Sequence, residues 1–198
     1  MNSKTVCYIA VLVLTAGLGA GCGGPVAAPT SFKNYQAKDQ SFAIDYPETW
    51  EVKGGGQSGF FSARFTSGNA SIKVTADTVG SLLGDIAGSQ TGGMSGENEI
   101  PEERKPIRVV HEMGKEAMAE EWSGYEEAEP ESVQTAFGDA RLAEFTGKST
   151  FGGEFRGLRL TALGIDRRIT VVCCCQESDS QNLRPAFDKA IASLNRGG

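Results

Sequence analysis

The chain has 198 residues, of which 39% are apolar, 22% charged and 8% aromatic. That is ordinary globular usage, which excludes collagen-like, coiled-coil and wholly disordered chains. With 19 basic against 25 acidic residues the net charge is −6, so the surface does not suit phosphate backbones and nucleic acid is excluded as a partner class.

The N-terminus carries a single positive charge at Lys4, then the apolar run Val6 to Leu14, then small residues from Ala16 to Gly21. A basic start, an apolar core of this length and a small-residue exit describe a secretory signal peptide over residues 1–21. The run is too short for a spanning helix, which needs about 20 apolar residues. Leu18-Gly19-Ala20-Gly21-Cys22 resembles the lipobox of bacterial lipoproteins, with Gly19 where an aliphatic residue is usual. That resemblance implies cleavage before Cys22, attachment of lipid to it, and membrane anchoring. Gly23 rather than Asp after the cysteine is similar to lipoproteins sorted to the outer membrane, facing the periplasm. The Gly/Pro/Ala stretch after Cys22 has no amphipathic period and is expected to be a tether over residues 22–35. A single domain is expected over 36–198, with folded character from about Phe32.

Within the domain, Phe42 to Tyr46, Phe61 to Phe65 and Ile72 to Ala76 alternate with period 2, which predicts half-buried antiparallel strands. Ser67-Gly68-Asn69 is the expected tight turn between the last two. Ser81 to Ala87 suits a short helical turn, and Gly88 to Pro101 a long glycine-rich loop. Pro106 opens a helical period in which Ile107, Val110, His111, Gly114, Met118 and Trp122 recur at three- and four-residue steps. Val133 to Phe145 and Leu158 to Cys175 predict two further hairpins. Phe187, Ala190, Ile191 and Leu194 form the stripe of a closing helix. This order predicts an α+β fold, an antiparallel sheet sandwiched by helices.

Phe42 to Trp50, ending in Tyr46-Pro47-x-x-Trp50, resembles the opening strand and corner of the PsbP-like superfamily. The hairpin Arg156 to Cys175 followed by Phe187-x-x-x-Ile191-x-x-Ser193-Leu194 is similar to its closing hairpin and helix. The family includes extrinsic photosystem subunits, a Ran-binding nuclear-import factor and bacterial lipoproteins. Its members share a scaffold and no common catalytic site, so the resemblance implies a fold and not an activity.

Gly54-Gly55-Gly56-Gln57-Ser58-Gly59 satisfies G-x-G-x-x-G, but period-2 residues follow it instead of the helix that dinucleotide binding needs, so a glycine-rich hairpin loop is expected. His111, the only histidine, has no second histidine one turn on to make a zinc helix, and is expected as a hydrogen-bonded core residue. Cys173, Cys174 and Cys175 are expected as apolar strand residues, with Cys174 opposite the other two; thiol-redox chemistry and a Cys-x-Cys metal site are the alternatives. The seven glutamates between Glu116 and Glu131 are expected on a solvated helix end and loop. Arg156, Arg159, Arg167 and Arg168 are candidate partner-binding residues for an acidic partner or phosphate-bearing lipid. No catalytic residue, metal or cofactor is nominated. The expected function is therefore a lipid-anchored, non-enzymatic envelope protein that binds another macromolecule, with a carrier of a small apolar ligand as the alternative and a thiol-redox protein as a third reading.

Overall fold

The structure, a computed structural model, describes residues 26–79, 101–149 and 153–198. The signal peptide, Cys22, the helical turn expected over 81–87 and all but the last residue of the loop expected over 88–101 lie outside the described residues. Ten strands and two helices follow in chain order: β1 (Phe32–Gln36), β2 (Ala43–Pro47), β3 (Glu51–Gln57), β4 (Phe60–Ser67), β5 (Ala70–Thr78), α1 (Pro106–Glu121), β6 (Ser123–Glu127), β7 (Glu131–Thr135), β8 (Gly138–Lys148), β9 (Glu154–Leu163), β10 (Arg167–Gln176) and α2 (Ser180–Ser193).

The period-2 segments pair as expected. β3 to β10 form one antiparallel sheet in the order β3-β4-β5-β10-β9-β8-β6, with β7 also pairing with β8, and β1-β2 form a separate hairpin. One sheet face carries Phe61, Phe65, Ile72, Val74, Leu158, Leu160, Ile169, Val171, Cys173 and Cys175, sealed under α2 and the β1-β2 hairpin. Burying a side chain of this size contributes about 1.5–3 kcal/mol. The Tyr46-Pro47-x-x-Trp50 corner clamps these layers together. Tyr46 stacks on Phe65 with ring centroids 4.6 Å apart, and Trp50 meets Phe187 of α2 edge-on at 6.4 Å. The opposite face carries a second, smaller cluster of Met118, Trp122, Phe145 and Cys174 where α1 crosses it.

Three expectations need correction. β1 occupies residues 32–36, so folded structure is present from Phe32 as expected and only the last four residues of the stretch 22–35 expected as tether are strand, because pairing with β2 satisfies their backbone. Gly54 to Gly56 lie inside β3 and not in a hairpin loop; the turn comes at Ser58-Gly59, with Gly59 at φ +81°. Close packing requires Gly56, since a Cβ there would lie 2.3 Å from the Phe60 carbonyl oxygen, whereas one on Gly54 would press at 2.3 Å on the Tyr35 hydroxyl, the end of a side chain that would have to shift. The acidic stretch holds an edge strand, β6, and the structure buries one of its carboxylates.

Two glycine substitutions separate close packing from open space. A Cβ on Gly157 would sit 2.2 Å from the Cys173 carbonyl oxygen, so Gly157→Ala is expected to destabilise by about 3 kcal/mol. Gly55 has nothing within 4 Å, and Gly55→Ala should be neutral or slightly stabilising. Urea midpoints of the two variants check this; similar losses in both would contradict the packing described.

Candidate functional site

α1 places Ile107, Val110, His111 and Met118 on the face it buries against the sheet. Gly114 lies on that same stripe, and a Cβ there would fall 2.6 Å from Nη1 of Arg159, so the helix backbone rests directly on the guanidinium. This close approach builds a polar cluster between α1, β6 and β9. Arg159 donates from Nη2 to both Glu127 oxygens at 2.9 and 2.8 Å, from Nε at 3.1 Å, and from Nη1 to the His111 carbonyl oxygen at 3.0 Å. His111 Nε2 lies 2.6 Å from Glu127 Oε1 and its Nδ1 lies 2.9 Å from the Thr161 hydroxyl. The Tyr125 hydroxyl also donates to Glu127.

The charges follow from these partners. Burial alone would raise the Glu127 carboxyl, but hydrogen bonds from His111 and Tyr125 together with the Arg159 charge outweigh it and hold the group at about 2. Burial lowers His111 below its ordinary value, and the Arg159 charge adds to this against the opposing Glu127. The imidazole is then neutral, with Nε2–H donating to the carboxylate and Nδ1 accepting from Thr161. Hydroxyl, imidazole and carboxylate thus stand in the order used to activate a nucleophile. The carboxylate is already spoken for in that arrangement: Arg159 neutralises it, His111 is fully buried, and Thr161, 1% exposed, meets the space beneath α1 only from its floor.

Sequence reasoning placed His111 in the core but named none of its partners, because residues 111, 127 and 159 share no period or motif. Arg159, expected to face a partner, is buried and held by Glu127, which is a correction to that reading. Arg156, Arg167 and Arg168 are ion-paired with Glu177, Asp166 and Asp77. They do not form one patch: Arg168 pairs with Leu163 near the β9-β10 turn, whereas Arg156 pairs with Cys175 at the open end of the hairpin.

Cys173 and Cys175 lie on the α2 face and Cys174 on the α1 face, as their alternation predicts. All three are buried free thiols, and burial pushes Cys175 up to about 12 and Cys173 well above its ordinary value. Thiols so protonated are poor nucleophiles and poor metal ligands at neutral pH. A cavity of about 340 Å³ opens beside Cys175, between β9 and α2, lined by Leu158, Pro185 and Phe187 with Arg156 and Arg184 at its edge. Beneath α1 a groove of about 250 Å³ runs past Met113 and Val172, with Thr161 and Arg159 in its floor.

The buried cluster makes two measurable demands. Arg159→Met leaves Glu127 charged and unpaired and should cost about 3–5 kcal/mol, whereas the double variant Glu127→Gln/Arg159→Met should cost less than that single change. Stability should also fall with acid. An unfolded histidine takes up a proton near 6.5 that buried His111 refuses, and an unfolded glutamate takes one near 4.5 while Glu127 stays ionised down to about 2. Urea midpoints should therefore decline as pH drops below about 6.5 and more steeply below about 4.5, and His111→Gln should flatten the upper part of that decline.

No family model matches the chain, and no curated protein matches it. Solved structures do. The cyanobacterial PsbP protein CyanoP from Synechocystis sp. PCC 6803 is similar at 15% identity, over 90% of this chain and 98% of that one, with a TM-score of 0.57. LpqN, described as involved in cell envelope biogenesis of Mycobacterium tuberculosis, aligns over 85% of this chain and 91% of its own at 9% identity and a TM-score of 0.49. A Bacteroides thetaiotaomicron protein aligns over 83% of this chain and 48% of its own at 12% identity and a TM-score of 0.48. The likeness to CyanoP shows the fold, and the chain is an α+β protein of PsbP-like architecture.

Proposed function

We propose that this chain is a lipid-anchored, non-catalytic binding module of the bacterial cell envelope, held to the outer membrane through acylated Cys22, facing the periplasm and engaging another macromolecule. The observation that carries the reading is the docking of Val26 onto the domain, so close in sequence to Cys22. The Val26 amide donates to Asp179 at 3.1 Å, and the Val26 side chain packs against the main core. Val26 stands four positions after Cys22 in the sequence, and four residues span at most about 14 Å. A domain clamped so close to its anchoring position works at the membrane surface. Among the described residues no helix is long and apolar enough to cross a membrane, so this reading assigns attachment to the lipid. A non-catalytic role is supported by the burial of His111 in the hydroxyl–imidazole–carboxylate cluster and by Arg159, which neutralises its carboxylate. Arg156, Arg167 and Arg168 would meet a partner only as ion pairs with their own carboxylates.

A second reading, carriage of a small apolar ligand, is favoured by the 340 Å³ cavity beside Cys175, a volume at the lower end of ordinary ligand pockets. Native mass spectrometry of the full-length protein, drawn from its own membrane in mild detergent, separates the two. Acylated Cys22 with a copurifying protein is the expected result. A retained apolar ligand in place of a protein would favour the carrier, and an unacylated, ligand-free monomer would remove the anchor.

A further inference from the structure

We infer that the face of β3, β4 and β5 turned away from α2 docks onto anionic phospholipid head groups through Lys53, Arg64 and Lys73, an inference that rests on the lipid anchor at Cys22. The strand register sets these residues in one row across three adjacent strands, Lys53 opposite Arg64 and Arg64 opposite Lys73. Like charges directly opposite on a sheet repel one another, so such a row needs a compensating anion. None of the three is ion-paired among the described residues. Every other lysine and arginine on a strand is: Lys33, Arg141, Lys148, Arg156, Arg159, Arg167 and Arg168 each have a carboxylate.

Among the described residues the row is left uncovered. α1 packs on β6, β8 and β9 and borders the row only at Lys73, across the groove beneath the helix. Gly55 presents no side chain and has open space around its Cβ position, and a shallow depression of about 500 Å³ lies among Lys53, Gly55, Ser62, Arg64 and Lys73. Two carboxylates stand near the row among the described residues: Glu51, two positions along β3 from Lys53, and Glu121 at the end of α1, which borders the same groove as Lys73. Neither forms an ion pair with the row.

Position selects a lipid surface as the anion. Val26 Cγ2 lies 3.8 Å from where a Cβ on Gly68 would sit, which places Val26 beside the β4-β5 turn. Arg64 is four residues from that turn, roughly 13 Å along β4 at 3.3 Å per residue. The acylated sulfur and the cation row are therefore within about 30 Å of each other even with the intervening chain fully stretched. Each basic side chain close to an anionic leaflet strengthens association about fivefold, and three together about 100-fold.

The test uses the full-length protein purified from its membrane and reconstituted into vesicles of phosphatidylcholine alone or of phosphatidylcholine with phosphatidylglycerol. A water-soluble amine-acylating reagent then reports the exposure of Lys53 and Lys73. Lys38 is the internal reference, because the β1-β2 tip lies by the chain's last residues at the far end of α2 from Val26. The expected result is roughly fivefold protection of Lys53 and Lys73 on phosphatidylglycerol vesicles only, reversed by high salt and by Arg64→Glu. Equal labelling on both vesicles, with the protein still floating with them, would overturn the docking and leave the anchor intact. Failure to float with phosphatidylcholine vesicles would overturn the anchor, and the docking with it. Protection by inorganic phosphate alone would overturn the lipid assignment in favour of a free oxyanion, and protection only on adding an acidic protein would overturn it in favour of a protein partner.

Discussion

The carboxylate of Glu127 is the constraint on which the arrangement of this domain turns. An ionised carboxyl with its side chain 1% exposed is stable in a protein interior only if its lone pairs are filled, and here four groups from three elements fill them. Arg159 supplies the opposite charge from the centre of the sheet, Tyr125 comes from the same edge strand, and His111 comes from α1. Satisfying that one group fixes β6 at the sheet edge and α1 across it. The guanidinium reaches on to the His111 carbonyl oxygen, and Gly114 lets the helix lie directly on it. Replacing any member by a group that cannot take part exposes the others to the full cost of burial, which is the usual reason that such networks specify a single packing.

That placement makes the two faces of the sheet unlike. On the α2 side an apolar layer is closed by the β1-β2 hairpin and the Tyr46 to Trp50 corner, and it is interrupted only by the cavity beside Cys175 between β9 and α2. On the α1 side the helix covers one half of the sheet with a polar cluster and a small aromatic one. The other half carries hydroxyl, basic and acidic side chains in register: Ser62, Thr75, Thr170 and Thr161 form one row, and Lys53, Arg64 and Lys73 the next. The cysteine run follows the same division. Cys173 and Cys175 are core atoms, while Cys174 touches the Ser71 hydroxyl across the strand at 3.3 Å.

Elements whose formation depends on local pattern were legible in the sequence. Period 2 in residues 61–65 and 72–76, the proline at the start of α1 and the stripe from Phe187 to Leu194 each report a choice made within a few residues. What escaped was set by partners distant in sequence. The tether boundary at residue 35 cuts through β1 because those five residues carry little burial pattern of their own and gain their pairing only from β2. The glycines of β3 read as a loop because the contacts that demand them, Tyr35 and Phe60, lie on other strands. Glu127 reads as one of seven similar glutamates, and only its position opposite Phe145, beside α1 and Arg159, sets it apart. The arginines of the last hairpin were visible as a group, but their separation between its two ends, and the burial of Arg159 alone, depend on register.

A scaffold shared at 15% identity over nearly the whole of both chains implies that most positions are interchangeable provided the pattern of burial is kept. Function on such a scaffold has to reside in features that the pattern leaves free. The buried cluster is not among them, since its groups are consumed by one another. The Lys53–Arg64–Lys73 row is, because it costs the isolated domain repulsion and gives its own core nothing in return. Like charges set in register with no carboxylate partner among the described residues are more economically explained by something outside the domain than by its core, and Val26, beside the β4-β5 turn, lies toward the same end of the sheet as that row.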